Sequence, residues 1–339
     1  VNTDGPMLVL AGAGSGKTKV LTTKIAYLIE QGIDPYNIIA ITFTNKAANE
    51  MKSRVENMLG ISAGKIQIST FHSFGLSIIK RHYDKLGLDN NFTIIDSDDV
   101  LSTIKRILKD MNLDPKFYNP KTIRNKISSA KNELMNPDEL DKFTSSELDE
   151  VCVNVYREYQ KRLKINNSVD FDDLLMLPIV LFNENKDILA FYQDRFKYIL
   201  VDEYQDTNAI QSRFVDMLAG ADGNIMAVGD DFQCIYTWRG ADFRNIMDFP
   251  RRYPNAQVIK LERNYRSTPE VLDIANACIA CNREQFQKTL RATKPHGDLP
   301  QVYHIPDSTS QSQAITMMIR RFVQQEGYNY SDIAVLYRS

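Results

Sequence analysis

The sequence is poor in the residues that staple small secreted proteins and in the stretches that cross membranes. Only four cysteines occur in 339 residues, Cys152, Cys234, Cys278 and Cys281. That is too few and too scattered for a disulfide framework at this length. Cys278 and Cys281 make a C-x-x-C, but it falls inside a helical pattern, Pro269 to Asn282, and has no second pair to complete a metal site. No apolar run approaches the ~20 residues of a membrane span. The first residues also lack the charged-then-apolar pattern of a secretory leader. A reducing, cytoplasmic setting without a membrane partner is the expectation. Charge of one sign is scarce as well: 41 Lys and Arg stand against 43 Asp and Glu, a net charge of −2. That balance does not by itself point to nucleic acid. Charge is uneven only locally, with eight basic against two acidic residues in 102–131 and seven acidic against one basic in 132–150. Such blocks read as solvated helix faces, of which the basic one could also follow a phosphate backbone.

What is present begins with Ala11-Gly-Ala-Gly-Ser-Gly-Lys-Thr18. The apolar run Met7 to Ala11 predicts a buried strand. Lys17 to Glu30, with Val20, Leu21, Ile25, Leu28 and Ile29 on one face, predicts the helix after it. Glycines between strand and helix let backbone N–H groups wrap a polyphosphate at the positive end of the helix dipole. Gly12, Ala13, Gly14, Ser15 and Gly16 would form the cradle, with Lys17 on the β- and γ-phosphates and the Thr18 hydroxyl on Mg²⁺. Ala11 departs from the Gly that usually opens this pattern. A second carboxylate strand is supplied by Tyr198 to Val201, which ends in Asp202-Glu203. Asp202 would hold the metal's shell and Glu203 would orient and deprotonate the attacking water.

Strand-like and helical runs alternate, from Ile38–Phe43 through a helix from Asn45 and Ile66–Thr70 to a helix from Ser73. This is the arithmetic of a parallel, helix-covered sheet. From about Ser97 to Leu163 the strand signal vanishes, which predicts a helical insertion. Strands return at Tyr198–Val201 and Asn224–Gly229 and complete the first sheet. A second α/β block is expected to open at Val258–Leu261 and to continue through a helix to Asn282. A strand at Val302–Ile305, a helix at Gln311–Gln325 and a strand at Ile333–Tyr337 follow. Because Val1 sits directly before the first strand and Ser339 just after the last, both ends read as cut from something longer.

Further segments stand in fixed order: Ile41-Thr-Phe-Thr-Asn-Lys-Ala-Ala48, Thr70-Phe-His-Ser-Phe74, Val201-Asp-Glu-Tyr-Gln-Asp-Thr-Asn208, Val228-Gly-Asp-Asp-Phe-Gln-Cys-Ile-Tyr-Thr-Trp-Arg-Gly-Ala241 and Leu261-Glu-Arg-Asn-Tyr-Arg-Ser267. With residues 11–18, this set resembles superfamily 1 DNA helicases of the UvrD, Rep and PcrA group. The resemblance covers essentially the whole chain, including Val169-Asp-Phe-Asp-Asp-Leu174. It implies an α/β fold of the P-loop NTPase, RecA-like kind, with helices on both faces of a parallel sheet. The first RecA-like domain would span 1–90 and 165–257, the helical inserted subdomain 91–164, and the truncated start of a second RecA-like domain 258–339.

The resemblance also implies roles. Gln233 would contact the γ-phosphate, Arg266 would act as an arginine finger, and Tyr265 would pack on the adenine beside Lys19, where the group usually has Arg. A guanidinium suits the finger because it keeps its charge and offers a rigid fork. The single-stranded DNA track maps onto Phe43, Thr70, His72, Phe171, Tyr236, Trp238 and Arg239, in which aromatic faces stack any base. Trp238 is the one tryptophan of the chain. Phe232 and Cys234 replace an acidic residue and a Ser common in the group, which could retune coupling between ATP and DNA sites. The group's adenine-reading glutamine segment would lie before Val1. The implied activity is that of a 3′–5′ DNA helicase and translocase using ATP and Mg²⁺ in replication or repair. Its partners would be single strands, single/double-strand junctions and repair or replication proteins. A second reading is an ATP-gated single-strand-binding regulator without unwinding. A GTPase is excluded by the lack of an N-K-x-D base-reading motif, since Asn45-Lys-Ala-Ala48 has no Asp. An ABC-type ATPase is disfavoured by the lack of an L-S-G-G-Q segment.

Overall fold

Apolar residues fill strand β1 (Met7–Ala11) without polar alternation, and all five are buried. That is the pattern of a strand covered on both faces. In the computed structural model, which describes residues 4–60, 63–220, 223–237 and 240–337, β1 lies inside a six-stranded parallel sheet. Its other members are β2 (Ile38–Thr42), β3 (Gln67–Thr70), β6 (Tyr198–Val201), β7 (Asn224–Gly229) and β8 (Gln257–Leu261), while β4 (Thr93–Ile94) and β5 (Ser168–Val169) pair separately. The strand order is β3-β2-β6-β7-β1-β8. Register is set by pairs such as Val9 with Val228 and Ile39 with Ile199.

Two apolar layers cover the sheet. On one face, α1 (Lys17–Glu30) and α2 (Asn45–Leu59) lay Leu21, Ile25, Met51 and Val55 on Val9, Ala40 and Leu200. The other face receives α3 (Phe71–Arg81) and three helices from later in the chain. Between them lies the insertion: α4 (Ser97–Asp110), α5 (Pro120–Asn132), the short α6 (Pro137–Asp141) and α7 (Glu147–Ile165). Asp96 caps α4 in a capping box, which fixes where the insertion's first helix starts. Its own core is built from Ile104, Ile107, Ile123, Tyr156 and Tyr159. Then come α8 (Asp173–Glu184), α9 (Lys186–Arg195) and α10 (Ala209–Ala219), whose Phe182, Tyr192 and Phe214 join Phe74 in the second layer. Phe74 and Phe214 stack with ring centroids 5.5 Å apart. The short α11 (Arg244–Met247) and α12 (Phe249–Arg252) lead into β8.

Two sequence expectations change. The run at 258–261 does not open a separate sheet: it extends to Gln257–Leu261 and hydrogen-bonds along β1 as the sixth strand. Hydrophobic periodicity identifies a strand but not its partner, and β1 offered an unpaired edge. Val302–Ile305 and Ile333–Tyr337 are not strands, since extended chain becomes a strand only when another strand completes its hydrogen bonds. Beyond β8 the chain makes β9 (Arg263–Asn264), α13 (Pro269–Ile279) and β10 (Arg291–Ala292), with β10 pairing β9. Residues 296–337 form a separate unit whose α-helix, α14 (Ser308–Gln325), starts at an Asp307 cap. No helix among the described residues is long and apolar enough to cross a membrane.

Candidate nucleotide site and nucleic-acid interface

The segment after β1 turns sharply because Gly14 and Gly16 take φ of +71° and +93°, which a side chain would strain. A Cβ on Gly14 would sit 2.6 Å from Cβ of Arg266 and 2.8 Å from the Asn264 side-chain nitrogen. The Ser15 N–H and hydroxyl both donate to the Gly12 carbonyl, at 3.1 and 2.7 Å, closing the loop. The first-turn N–H groups of α1 lack intrahelical acceptors and are available to an anion. The turn that the glycines of 12–16 predict is therefore present, between β1 and α1.

Of the side chains expected to do chemistry, Lys17, Glu203 and Gln233 lie at the carboxyl ends of β1, β6 and β7. Lys17 Nζ lies 2.9 Å from Glu203 Oε2. Glu203 takes a left-handed φ of +50°, and its N–H donates to Asp202 Oδ1 at 3.0 Å. Gln205 Nε2 donates to Glu203 Oε2 at 2.9 Å, and Gln205 Oε1 accepts from the Asp230 N–H at 3.0 Å. Asp230 in turn accepts from Gln233 Nε2 at 2.6 Å. A continuous chain of contacts thus runs from Lys17 through Glu203, Gln205 and Asp230 to Gln233. Gln205 and Asp230 were not singled out from sequence. The signal available was only their place inside the two motif segments.

Asp202 is buried beside Glu203, and its carboxyl is pushed up to about 6. Burial is the largest cause and the Glu203 charge adds to it, while the Glu203 N–H, the Lys17 charge and a hydrogen bond from the Thr18 side chain pull the other way. A buried carboxylate facing a second carboxylate and a threonine hydroxyl is short of positive charge, and a divalent cation would supply it. Thr18 and Asp202 therefore fit the metal role expected of them. The raised value also has a stability sign. Its folded pKa exceeds the ordinary 3.8, so the folded state holds a proton that the unfolded state releases. Stability contributed by Asp202 is then lost as pH climbs from about 4 to about 6. Asp202→Asn should melt higher than the parent at pH 7 in chelator, by about 1–3 kcal/mol of stability. Equal melting curves at pH 7 would refute that reading.

From the other side, Asn264 clamps the loop. Its side-chain amide donates to the Ala13 carbonyl and its Oδ1 accepts from the Arg266 and Ser267 N–H groups at 2.8 and 2.7 Å. The Tyr265 N–H donates to the Gly14 carbonyl at 2.9 Å. These contacts bring Tyr265 and Arg266 against the loop, although both side chains stay exposed. An Asn before the Tyr-Arg-Ser turn was the missed signal, because a short amide can satisfy a turn's N–H groups. The exposed Tyr265 ring and Lys19 border an open cavity of about 970 Å³, also lined by Val20, Tyr27 and Ile259.

Of the expected nucleic-acid residues, Phe43 follows β2, Thr70 and His72 lie where β3 meets α3, Phe171 follows β5 and Tyr236 follows β7. The His72 and Phe171 rings lie 5.4 Å apart, and Phe171 is 59% exposed. Burial holds the His72 imidazole below its ordinary pKa, keeping it neutral and suited to stacking. Phe43 is half-buried and meets the Phe71 ring edge-on at 5.6 Å. The Thr70 hydroxyl serves as the α3 cap, accepting from the Ser73 N–H at 3.2 Å. Trp238 and Arg239 lie outside the described residues.

Residues 1–254 match the family model of the UvrD/REP helicase N-terminal domain, and residues 259–339 match the UvrD-like helicase C-terminal domain. The chain is 49% identical over 338 residues to the ATP-dependent DNA helicase PcrA of Bacillus subtilis. It is 46% identical to the protein of that name from Staphylococcus epidermidis and 45% identical to that from Staphylococcus aureus. In each comparison 99% of this chain aligns with 46% of the relative, so it spans about half the length of these proteins. The two matched domains and these identities establish that the chain belongs to the UvrD/Rep helicase family.

Proposed function

We propose that this chain carries the ATP-hydrolysing and strand-gripping machinery of an ATP-dependent DNA helicase that moves 3′ to 5′ along a single strand. The observation that carries the reading is the contact chain from Lys17 to Gln233 beneath a glycine-bent loop. In this reading Gly12 to Gly16 wrap the phosphates, Lys17 pairs with the β- and γ-phosphate oxygens, and Thr18 and Asp202 would hold Mg²⁺. The metal supplies charge neutralisation on the phosphate oxygens. Glu203, released from Lys17 as the phosphates take up that charge, accepts the proton of the attacking water. Gln233 contacts the γ-phosphate and Arg266 adds fixed positive charge from the opposite wall. Tyr265 and Lys19 meet the adenine at the open cavity. The proposed division puts the first motor domain at 1–90 and from 165 through β8, which moves the expected boundary at 257 to Leu261, its helical insertion at 91–164, and the second domain after β8.

Phe43, His72, Phe171, Tyr236 and Trp238 form the proposed stacking track, with Thr70 and Arg239 beside it. The 59% exposure of Phe171 supports this, because a ring that contributes little to the core is free to meet a base. Phe171→Ala and Trp238→Ala should each weaken single-strand affinity by about 1–3 kcal/mol. Stability of Phe171→Ala should change by no more than about 0.5 kcal/mol. Oligonucleotide titration paired with denaturant melting decides it: unchanged affinity with a large stability loss would return the residue to the core. The function itself is tested by ATP turnover with and without single-stranded DNA, and by strand displacement, in the full protein that carries this chain. Turnover without displacement would overturn the helicase assignment and leave an ATP-gated regulator. Replication or repair, junction DNA and the accompanying proteins belong to the same proposal.

A further inference from the structure

Residues 286–293, beyond α13, run back across the nucleotide site, and one of them is a cation whose side chain is fully buried. Lys288 Nζ lies 2.8 Å from Asp230 Oδ1, pairs with Asp231 as well, and stands 3.5 Å over the Phe232 ring. Neither carboxylate side chain is more than 3% exposed. A buried ammonium with two carboxylates and an aromatic face holds its position tightly, because leaving any of them unpaired is costly. The segment is pinned along its length. The Phe286 N–H donates to Asp231 Oδ2 at 2.8 Å, the Thr289 N–H to Glu262 at 2.8 Å, and the Arg291 N–H to the Glu262 carbonyl at 2.7 Å. Two residues past Lys288, Leu290 covers Gly12 so closely that a Cβ there would fall 2.2 Å from a Leu290 methyl. One short segment therefore touches both the phosphate loop and the residues that hold Gln233.

We propose that Lys288 is a positioning residue for ATP hydrolysis. It fixes the Asp230 carboxylate, which orients Gln233 directly. The role rests on the hydrolytic reading above and adds a link from the segment after the Asn264-Tyr265-Arg266 turn to the groups facing the γ-phosphate. Asp230 is central to it, because one carboxylate accepts from Gln233 Nε2, from the Phe232 N–H at 3.2 Å and from Lys288. Without the ammonium, Asp230 would turn toward other donors and Gln233 would lose its fixed acceptor. Geometry at the γ-phosphate would then degrade while the phosphate cradle stayed intact.

The test is DNA-stimulated ATP turnover of Lys288→Met in the full protein that carries this chain. Lys288→Met should lower kcat by about 10–100-fold while KM for ATP changes by less than about threefold. Lys288→Arg, which keeps a cation over the Phe232 ring, should recover turnover to within about threefold. In a Gln233→Ala background, Lys288→Met should cost less than about threefold more, because residues acting as a unit are not additive. A merely structural lysine would instead lower the melting temperature and multiply its loss with that of Gln233→Ala. Should Lys288→Met fail to fold, Lys288→Gln, which removes the charge facing Asp230 but keeps a polar side chain, carries the same cycle with a smaller expected loss. Wild-type kcat in either variant, or full multiplication with Gln233→Ala, overturns the role. A parent protein without ATP turnover would overturn the hydrolytic reading, and this role with it.

Discussion

Glu203→Gln should bind ATP as the parent does and turn it over about 10²–10⁴-fold more slowly. The substitution keeps shape and hydrogen-bonding reach, so the Gln205 Nε2 contact at 2.9 Å survives with an amide oxygen as acceptor. What goes is the proton-accepting charge. Because Glu203 also pairs with Lys17 at 2.9 Å, the variant leaves Lys17 more available to phosphate, and ATP affinity should hold or rise slightly. Lys17→Ala makes the opposite change. It removes the fixed charge facing the phosphates and should abolish productive binding as well as turnover. Nucleotide titration beside steady-state hydrolysis separates the two variants. Glu203→Gln hydrolysing at the parent rate would remove Glu203 from the base role.

Lys131→Met should destabilise the protein by about 3–5 kcal/mol at pH 7. Lys131 lies in the last turn of α5 with its side chain fully buried, and its Nζ lies 2.6 Å from Asp170 and 2.7 Å from Asp173. Those aspartates also brace each other, through N–H bonds of 3.0 and 2.9 Å, and Tyr159 donates to Asp170 at 2.8 Å. Removing the ammonium leaves two carboxylates in one dry site. Burial already pushes Asp173 up to about 6, with Asp170 adding to it and the Lys131 charge opposing. Its folded value thus exceeds the ordinary 3.8, so lowering pH through that window favours the folded state. Loss of Lys131 widens the window upward. The deficit should therefore be largest at neutral pH and shrink by pH 5, as one carboxyl takes a proton. Thermal melts at the two pH values read this directly. A cost below about 1 kcal/mol, or one independent of pH, would show that the triad is not the tie it resembles. Asn208 strengthens that tie, donating to Asn132 beside Lys131 at 2.7 Å and so joining the segment after β6 to the insertion.

The elements most legible in the sequence are those whose environment is uniform. Met7–Ala11, Tyr198–Val201 and Asn224–Gly229 have the expected bounds because a strand buried on both faces reads as an unbroken apolar run, and Lys17–Glu30 has them because its apolar residues recur at the helical period. The sharp turn after β1 was legible because its glycines, Gly14 and Gly16, are demanded by backbone geometry. Helix α3 begins at Phe71, two residues before its expected start at Ser73, because Thr70 ends β3 and caps the helix at once, leaving no loop to read. Pairing was not legible: β8 looks the same in sequence whether it joins β1 or another sheet. Nor was the Lys288 contact, since a lysine near the end of a polar stretch reads as a solvated one until the fold sets two aspartates around it. Residues joined by sequence order were found. Residues joined only by folding, such as Asn264 with Ala13 or Gln205 with Asp230, were not.

A motor can push only against something that does not give. Strand β1 is hydrogen-bonded to β7 on one side and β8 on the other, with every residue buried, so the loop it carries is anchored to a strand held from both sides. Under the proposed function, nucleotide turnover would act on the parts leaning on that loop from outside, the Asn264 turn and the segment bearing Lys288 and Leu290. The amide protons of β1 should be among the last to exchange with solvent whichever nucleotide is bound, while those of 263–266 and 286–292 should change with it.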